Sequence, residues 1–215
     1  MIWSPGRKYL FIHIPKTGGT SMALALEGRA MKDDVMLGDT PKAVKRRRRL
    51  KGVQAAGRLW KHSTLADLAG LAPRDALDRL FIFTLVRNPW DRVGSYYRWL
   101  RTQRFDHPAV HVAQGHDFAG FLEHPDIAAS LQANPAARYV TDAQGQMRGR
   151  LFIRLEHFEA DAAPLFEHLG FALELPHLNA TEAGSAALYT QETAARVAEL
   201  CAEDIARFGY AFPNG

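Results

Sequence analysis

Tyr9-Leu-Phe-Ile-His-Ile-Pro-Lys-Thr-Gly-Gly-Thr-Ser-Met-Ala-Leu-Ala-Leu-Glu27 is the stretch that decides the fold. Its first six residues form a short β-rich apolar run, the pattern of a buried central strand. The run breaks at Pro15-Lys-Thr-Gly-Gly-Thr-Ser21 and resumes at Met22–Glu27 as a helix pattern. Strand, glycine turn and helix in that order open an α/β phosphate-binding unit. Gly18 and Gly19 let the backbone turn sharply and expose successive N–H groups, which converge on an anion. The helix adds its positive dipole end, and Lys16, Thr17, Thr20 and Ser21 add a cation and three hydroxyls. The lysine precedes the glycine pair, so this is not a Walker A loop, in which four residues separate the first glycine from Gly-Lys.

A second junction of the same kind follows. Leu80-Phe-Ile-Phe-Thr-Leu-Val86 reads as a strand and stops at Arg87-Asn-Pro-Trp-Asp-Arg92, and a helix runs on to about Thr102. Asn88 suits the N-cap and Pro89 the first helical position. Arg87 leaves the carboxyl end of a strand, where open α/β sheets bind ligands. Its guanidinium can grip a phosphate through two parallel N–H bonds, with Ser95 as a further donor from the helix.

Around these junctions the pattern alternates. Thr40–Leu50 is helix-like without an apolar face, Leu59–His62 strand-like, and Ser63–Ala69 and Pro73–Leu80 helical. Residues 104–132 read as irregular and histidine-rich. Leu151–Leu155 is a third strand, followed by helices at Asp161–Leu169 and Gln191–Phe208. The expectation is an α/β fold, one domain over residues 1–215, with a mostly parallel sheet covered by helices on both faces. Within it, 31–58 is a basic insert and 103–150 a variable region on the acceptor side.

The chain has 215 residues, 47% hydrophobic and 23% charged, which excludes disordered, collagenous and coiled-coil classes. No run approaches the roughly 20 apolar residues of a membrane span. One cysteine, Cys201, excludes an internal disulfide and favours a reducing, cytoplasmic setting; the first strand-like run begins by Tyr9, which leaves no room for a cleaved leader. The formal charge is +4, from 27 Lys/Arg against 23 Asp/Glu, yet nine of the basic residues and no acidic one fall between Pro41 and Lys61. Removing those nine from 27 leaves 18 against 23, so the remainder is net acidic. The Lys45-Arg-Arg-Arg-Arg-Leu-Lys51 run has three readings: a solvated mobile loop, a site for an anionic acceptor, or a nucleic-acid or membrane surface. No aromatics interleave it, which disfavours specific nucleic-acid work.

His13-Ile-Pro-Lys-Thr-Gly-Gly-Thr-Ser21 resembles the 5′-phosphosulfate loop of sulfotransferases that use 3′-phosphoadenosine-5′-phosphosulfate (PAPS), in the version typical of the carbohydrate (type 2) branch. Arg87-Asn-Pro-Trp-Asp-Arg-Val-Gly-Ser95 resembles that family's 3′-phosphate element. Arg154–Asp161, Leu175-Pro-His-Leu-Asn179 and Glu203–Phe212 look like its late segments. The resemblance implies the P-loop-like sulfotransferase fold and transfer of a sulfuryl group from PAPS to an acceptor hydroxyl, most naturally on a carbohydrate or glycoconjugate, releasing 3′-phosphoadenosine-5′-phosphate (PAP). It implies Lys16, Thr17, Gly18, Gly19, Thr20, Ser21, Arg87 and Ser95 as the nucleotide-binding set, with Lys16 also stabilising the leaving phosphate. It implies no metal. The missing membrane anchor points to a bacterial-type enzyme.

The acceptor hydroxyl must lose a proton, and His62, in Trp60-Lys-His-Ser-Thr64, is the candidate base. His13, inside the first strand, reads as structural. His107 and His111 have i, i+4 spacing, but Pro108 breaks the ladder between them and no cysteine is near, so that stretch reads as an acceptor-cleft loop together with His116. Two other functions stand beside the transferase: a non-catalytic binder of PAP or PAPS, and a nucleotide kinase-like P-loop enzyme, which the absence of Gly-Lys-Ser/Thr opposes.

Overall fold

The structure, a computed structural model, describes residues 1–71, 74–176 and 185–213. In chain order the elements are β1 (Ile2–Ser4), β2 (Tyr9–Ile12), α1 (Gly19–Gly28), β3 (Val35–Met36), α2 (Pro41–Arg46), α3 (Arg74–Leu77), β4 (Phe81–Val86) and α4 (Pro89–Arg101). Then come α5 (Pro108–Gly115), α6 (Phe118–Glu123), α7 (Pro125–Ala133), α8 (Ala136–Tyr139), β5 (Leu151–Arg154), α9 (Phe158–Asp161), α10 (Ala163–Leu169), α11 (Gln191–Leu200) and α12 (Ala202–Phe208). Single 3₁₀ turns cover Arg47–Leu50, Leu155–His157 and Ser185–Leu188. The chain divides into two compact units, Met1–Val86 with Ala136–Asn179, and Arg87–Pro135 with Ala180–Gly215.

The first unit holds a five-stranded sheet in the order β3-β1-β2-β4-β5. β2, β4 and β5 run parallel, and β1 is antiparallel to both β2 and β3, so one strand of the five is reversed. This is the expected α/β class, a mostly parallel sheet flanked by helices. The parallel strands show apolar residues on both alternations because both faces are covered. Tyr9, Phe11, Phe83, Leu85 and Ile153 form one face and pack with Met22 and Leu26 of α1 and Leu165 of α10. The register sets Phe11 opposite Phe83, and their rings stack at 5.3 Å. On the other alternation Leu10, Ile12, Ile82, Thr84 and Val86 are all buried. Thr84 satisfies its hydroxyl by donating to Ile12 O at 2.8 Å.

Several local expectations change. The first strand ends at Ile12, not Ile14, and β1 and β3 lie beside it although neither is long enough to show a period. Leu59–His62 is a turn, not a strand: the Ser63 hydroxyl accepts from Trp60 N–H at 2.9 Å and donates to Arg58 O at 2.8 Å, replacing ladder bonds with local ones. Ser63–Ala69 is likewise a turn, pinned by Asp67, which accepts from the backbone and hydroxyl of Thr64 at 2.8 and 2.9 Å. The last helix breaks at Cys201 into α11 and α12.

The second unit corrects the reading of 104–132 as irregular, since it contains α5, α6 and α7. Two histidines do the work of N-caps. His107 Nδ1 accepts from Ala109 N–H at 3.2 Å ahead of Pro108, and His124 Nδ1 from Asp126 N–H at 3.3 Å ahead of Pro125. Each proline is then the first helical residue, where its missing N–H costs nothing. Asp117 caps α6 through Gly120 N–H at 2.8 Å. The core of this unit gathers Trp90, Val93, Tyr97 and Leu100 of α4 with Phe118, Phe121 and Val197.

Candidate functional site

The segment after β2 carries two left-handed residues, Lys16 at φ 66° and Gly18 at φ 83°. A lysine in that region costs on the order of 1–2 kcal/mol, strain that a turn holds only when its surroundings impose it. Thr17 between them is buried, and its hydroxyl donates to Ile14 O at 2.9 Å, closing the turn. That hydroxyl is therefore engaged inward. Helix α1 begins at Gly19 with Gly18 as N-cap and no side-chain cap. Its first backbone bond runs from Met22 N–H to Gly18 O at 3.2 Å. The N–H groups of Gly19, Thr20 and Ser21 precede that bond, as in any first helical turn, and among the described residues no side chain caps them. Thr20 is exposed and Ser21 is buried.

Gly18 is required by its left-handed backbone and by a contact, Gly19 by a contact alone. A methyl at Gly18 would lie 2.8 Å from Leu155 Cδ1. A methyl at Gly19 would overlap the His13 ring, which lies against the helix start. His13 is buried, and the same burial, with His62 next to it, holds its imidazole well below the usual histidine pKa.

His62 stands against this cluster. Its Nδ1 lies 2.9 Å from His13 O, and the two rings meet edge to face at 4.5 Å. A carbonyl can only accept, so Nδ1 carries the proton and Nε2 keeps its lone pair. Burial pushes the His62 pKa down to about 4, the bond to His13 O only partly opposing it, so the ring is neutral at pH 7. Trp60 contributes a second edge contact at 5.0 Å. The structure thus brings His62 to the residue whose ring covers Gly19. The role of His13 as the link escaped the sequence reading; the signal was its position at the strand end, three residues before Lys16.

Lys61 and Arg47 converge on Asp39, at 2.7 and 3.8 Å, beside a cavity of about 500 Å³. A second cavity of about 330 Å³ shares Asp39 and Lys61 with it and reaches His13 and Thr20.

In the second unit, Arg87 is half-buried and, among the described residues, makes no ion pair. Asn88 caps α4 as expected, accepting from Trp90 N–H at 3.2 Å, and its amide donates to Ala211 O at 2.8 Å. The Trp90 indole donates to Ala194 O at 2.9 Å, and Tyr189 donates to Trp90 O at 2.7 Å. These bonds fix the chain just after Arg87 against the C-terminal segment of the same unit. Ser95 lies two turns into α4 and is half-buried.

His107 is a cap rather than a ligand, His111 Nε2 pairs with Asp106 at 3.0 Å, and His116 Nδ1 contacts Val112 O at 3.0 Å. Among the described residues no three His, Cys, Asp or Glu side chains cluster as metal ligands would. No helix among them is long and apolar enough to cross a membrane. Arg154 and Asp161 form a bidentate pair at 2.7 and 3.0 Å, so the first of the late family-like segments is tied into a strand-to-helix turn. His177–Asn179 lie outside the described residues.

No family model matches the chain, and no curated protein does. Among solved structures it is similar to mouse sulfotransferase SULT7A1 complexed with PAP, with a TM-score of 0.41 and 15% identity over 97% of this chain and 69% of that one.

Proposed function

We propose that the protein is a sulfotransferase that moves the sulfuryl group of PAPS to an acceptor hydroxyl on a saccharide. The observation that carries the reading is the loop of residues 15–21: a strained lysine and a left-handed glycine lead into a helix that has no side-chain cap, with a neutral histidine adjoining. An uncapped first turn beside a cation is suited to a dianionic group.

In this reading the N–H groups of Gly18–Ser21 and the Thr20 and Ser21 hydroxyls bind the 5′-phosphosulfate, and Thr17 serves through its backbone alone. The acceptor oxygen attacks sulfur as the bond from sulfur to the 5′-phosphate oxygen breaks. The acceptor proton passes to His62 Nε2. Lys16 neutralises the charge that the departing phosphate gains, which is where fixed electrostatics lower a barrier most. Arg87, which has no carboxylate partner among the described residues, and Ser95 take the 3′-phosphate. The cytoplasmic, bacterial-type setting rests on the resemblance and on the unpaired Cys201.

The test is calorimetric titration with PAP beside a sulfate-transfer assay. Wild type binds PAP. Lys16→Ala combined with Arg87→Ala abolishes that binding. His62→Ala keeps it while transfer falls by about 10²–10⁴. A protein that does not bind PAP, or a His62→Ala variant with undiminished turnover, overturns the reading.

A further inference from the structure

The basic run is not uniform. Arg46 donates to Met31 O at 2.8 Å and to Asp34 O at 3.2 Å, and Arg49 donates to Lys32 O at 2.6 Å. These two arginines bolt α2 and its 3₁₀ extension to the preceding loop. Ala43, Arg47, Leu50 and Lys51 have the i, i+4, i+7, i+8 spacing of the opposite helical stripe, and all four line the larger cavity. Arg58, Trp60 and Lys61 complete it. Four cations therefore face a single carboxylate, Asp39, which Lys61 and Arg47 already share.

We propose that this cavity is the acceptor site and that it takes a saccharide already carrying a carboxylate or sulfate group. The inference rests on the sulfotransferase reading and adds the charge and the ring to it. Trp60 is 42% exposed, and Arg58 stands 5.3 Å from the centre of its ring. A sugar ring needs one apolar face to lie on and polar groups about its rim, and Trp60 with Asp39 and Lys61 supply both. Lys51 and Arg58 have no carboxylate partner among the described residues, Arg58 resting over the Trp60 ring, so an anion meets cations that no carboxylate neutralises. Volumes near 500 Å³ suit a small ring-bearing molecule and not a nucleic-acid duplex. The second cavity shares Asp39 and Lys61 with this one and is lined by Thr20 and His13, and in the proposal a hydroxyl of the same molecule extends toward the loop while its anion remains among the arginines. Asp39 then occupies the position of a competing anion.

The probes are a glucuronic acid–N-acetylglucosamine disaccharide, its 6-sulfate, and its neutral methyl ester, titrated calorimetrically into the whole protein with and without PAP. Both charged forms bind at least tenfold more tightly than the ester, and added salt narrows the gap. Lys51→Ser with Arg58→Ser weakens the charged forms about tenfold and leaves PAP affinity unchanged; both side chains are exposed, so the fold tolerates their loss. Asp39→Asn tightens the charged forms and leaves the ester as it was. Equal binding of ester and acid, failure of all three sugars to bind, or weaker charged binding in Asp39→Asn overturns the proposal. If the sugars fail while PAP binds, the transferase reading stands without this site; if the sugars bind as described and PAP does not, the cavity binds saccharides and the transferase reading falls.

Discussion

Replacing Gly19 by alanine sets two effects of opposite sign against each other, and the His13 ring decides between them. Gly19 is the first residue of α1 and its φ is not positive, so alanine meets no backbone penalty there. Helix propensity alone favours the change by up to ~1 kcal/mol. The added methyl, however, falls on the His13 imidazole, which has little freedom to retreat. It is 6% exposed, stacks on Phe11 at 5.9 Å and meets His62 at 4.5 Å. Overpacking of this kind costs about 1–3 kcal/mol, so the net expectation is a loss of about 1 kcal/mol. Gly28, the last residue of the same helix, has open space where its methyl would go and also lacks positive φ. Gly28→Ala is therefore stabilising, by about 0.5–1 kcal/mol. Urea unfolding monitored by tryptophan fluorescence measures both, with an unchanged slope confirming that the midpoint shift reports stability. In a His13→Ala background the penalty at Gly19 disappears, because the obstructing ring is gone. A Gly19→Ala protein as stable as wild type, or a penalty that persists without the His13 ring, would refute the proposed packing of the loop.

Acid should weaken the fold before its carboxylates titrate. The pKa of His62 is lowered to about 4, and that of His13 is lowered too, so between pH 6.5 and 4 the unfolded chain binds more protons than the folded one. The histidine contribution is complete above pH 6.5 and is lost as pH falls, by about 2 kcal/mol for His62 at pH 4.5, and His62→Gln should flatten the slope; unfolding midpoints that do not move from pH 7 to 4.5 contradict this. Lys16→Gly relieves the left-handed backbone and raises stability by about 0.5–1 kcal/mol while sulfate transfer is lost, whereas Lys8→Gly, at φ 54° in the β1–β2 turn, gives a similar gain with transfer retained. Identical activity in the two variants would remove Lys16 from the site. Thr17→Val costs about 1 kcal/mol through the bond to Ile14 O and leaves PAP affinity unchanged, and Thr17→Ser, which keeps the hydroxyl, restores the stability; a valine variant that folds normally yet loses PAP would return the hydroxyl to the ligand.

What was legible in the sequence was whatever depends on neighbours along the chain. The buried parallel strands announce themselves by unbroken apolar runs, and Asn88-Pro89 marks the start of α4 because cap and first-turn preferences act within three residues. β1 and β3 span only three and two residues and are held as strands by pairing with each other and β2, which no local pattern encodes. The stretch 104–132 reads as irregular because Pro108 looks like a break, although His107, and likewise His124 before Pro125, accepts from the second helical N–H through an imidazole nitrogen as a carboxylate does. At the loop, residue types gave the phosphate reading, but the inward bond of Thr17 needs Ile14 O in place, and the tautomer of His62 needs a carbonyl 49 residues away.

The second glycine carries this furthest. A glycine pair after a strand is ordinarily explained by the turn, yet only Gly18 has a left-handed backbone; Gly19 is helical and needs no freedom of φ. Its reason is steric: the ring of His13 occupies the place of a side chain, while the same residue's carbonyl holds His62 with its proton on Nδ1. One buried residue, His13, thus links the shape of the anion loop through its ring to the protonation of the proposed base through its carbonyl, and any larger residue at position 19 disturbs both. Loop geometry and proton acceptance should then fail together in Gly19→Ala, and separately in Lys16→Gly and His62→Ala.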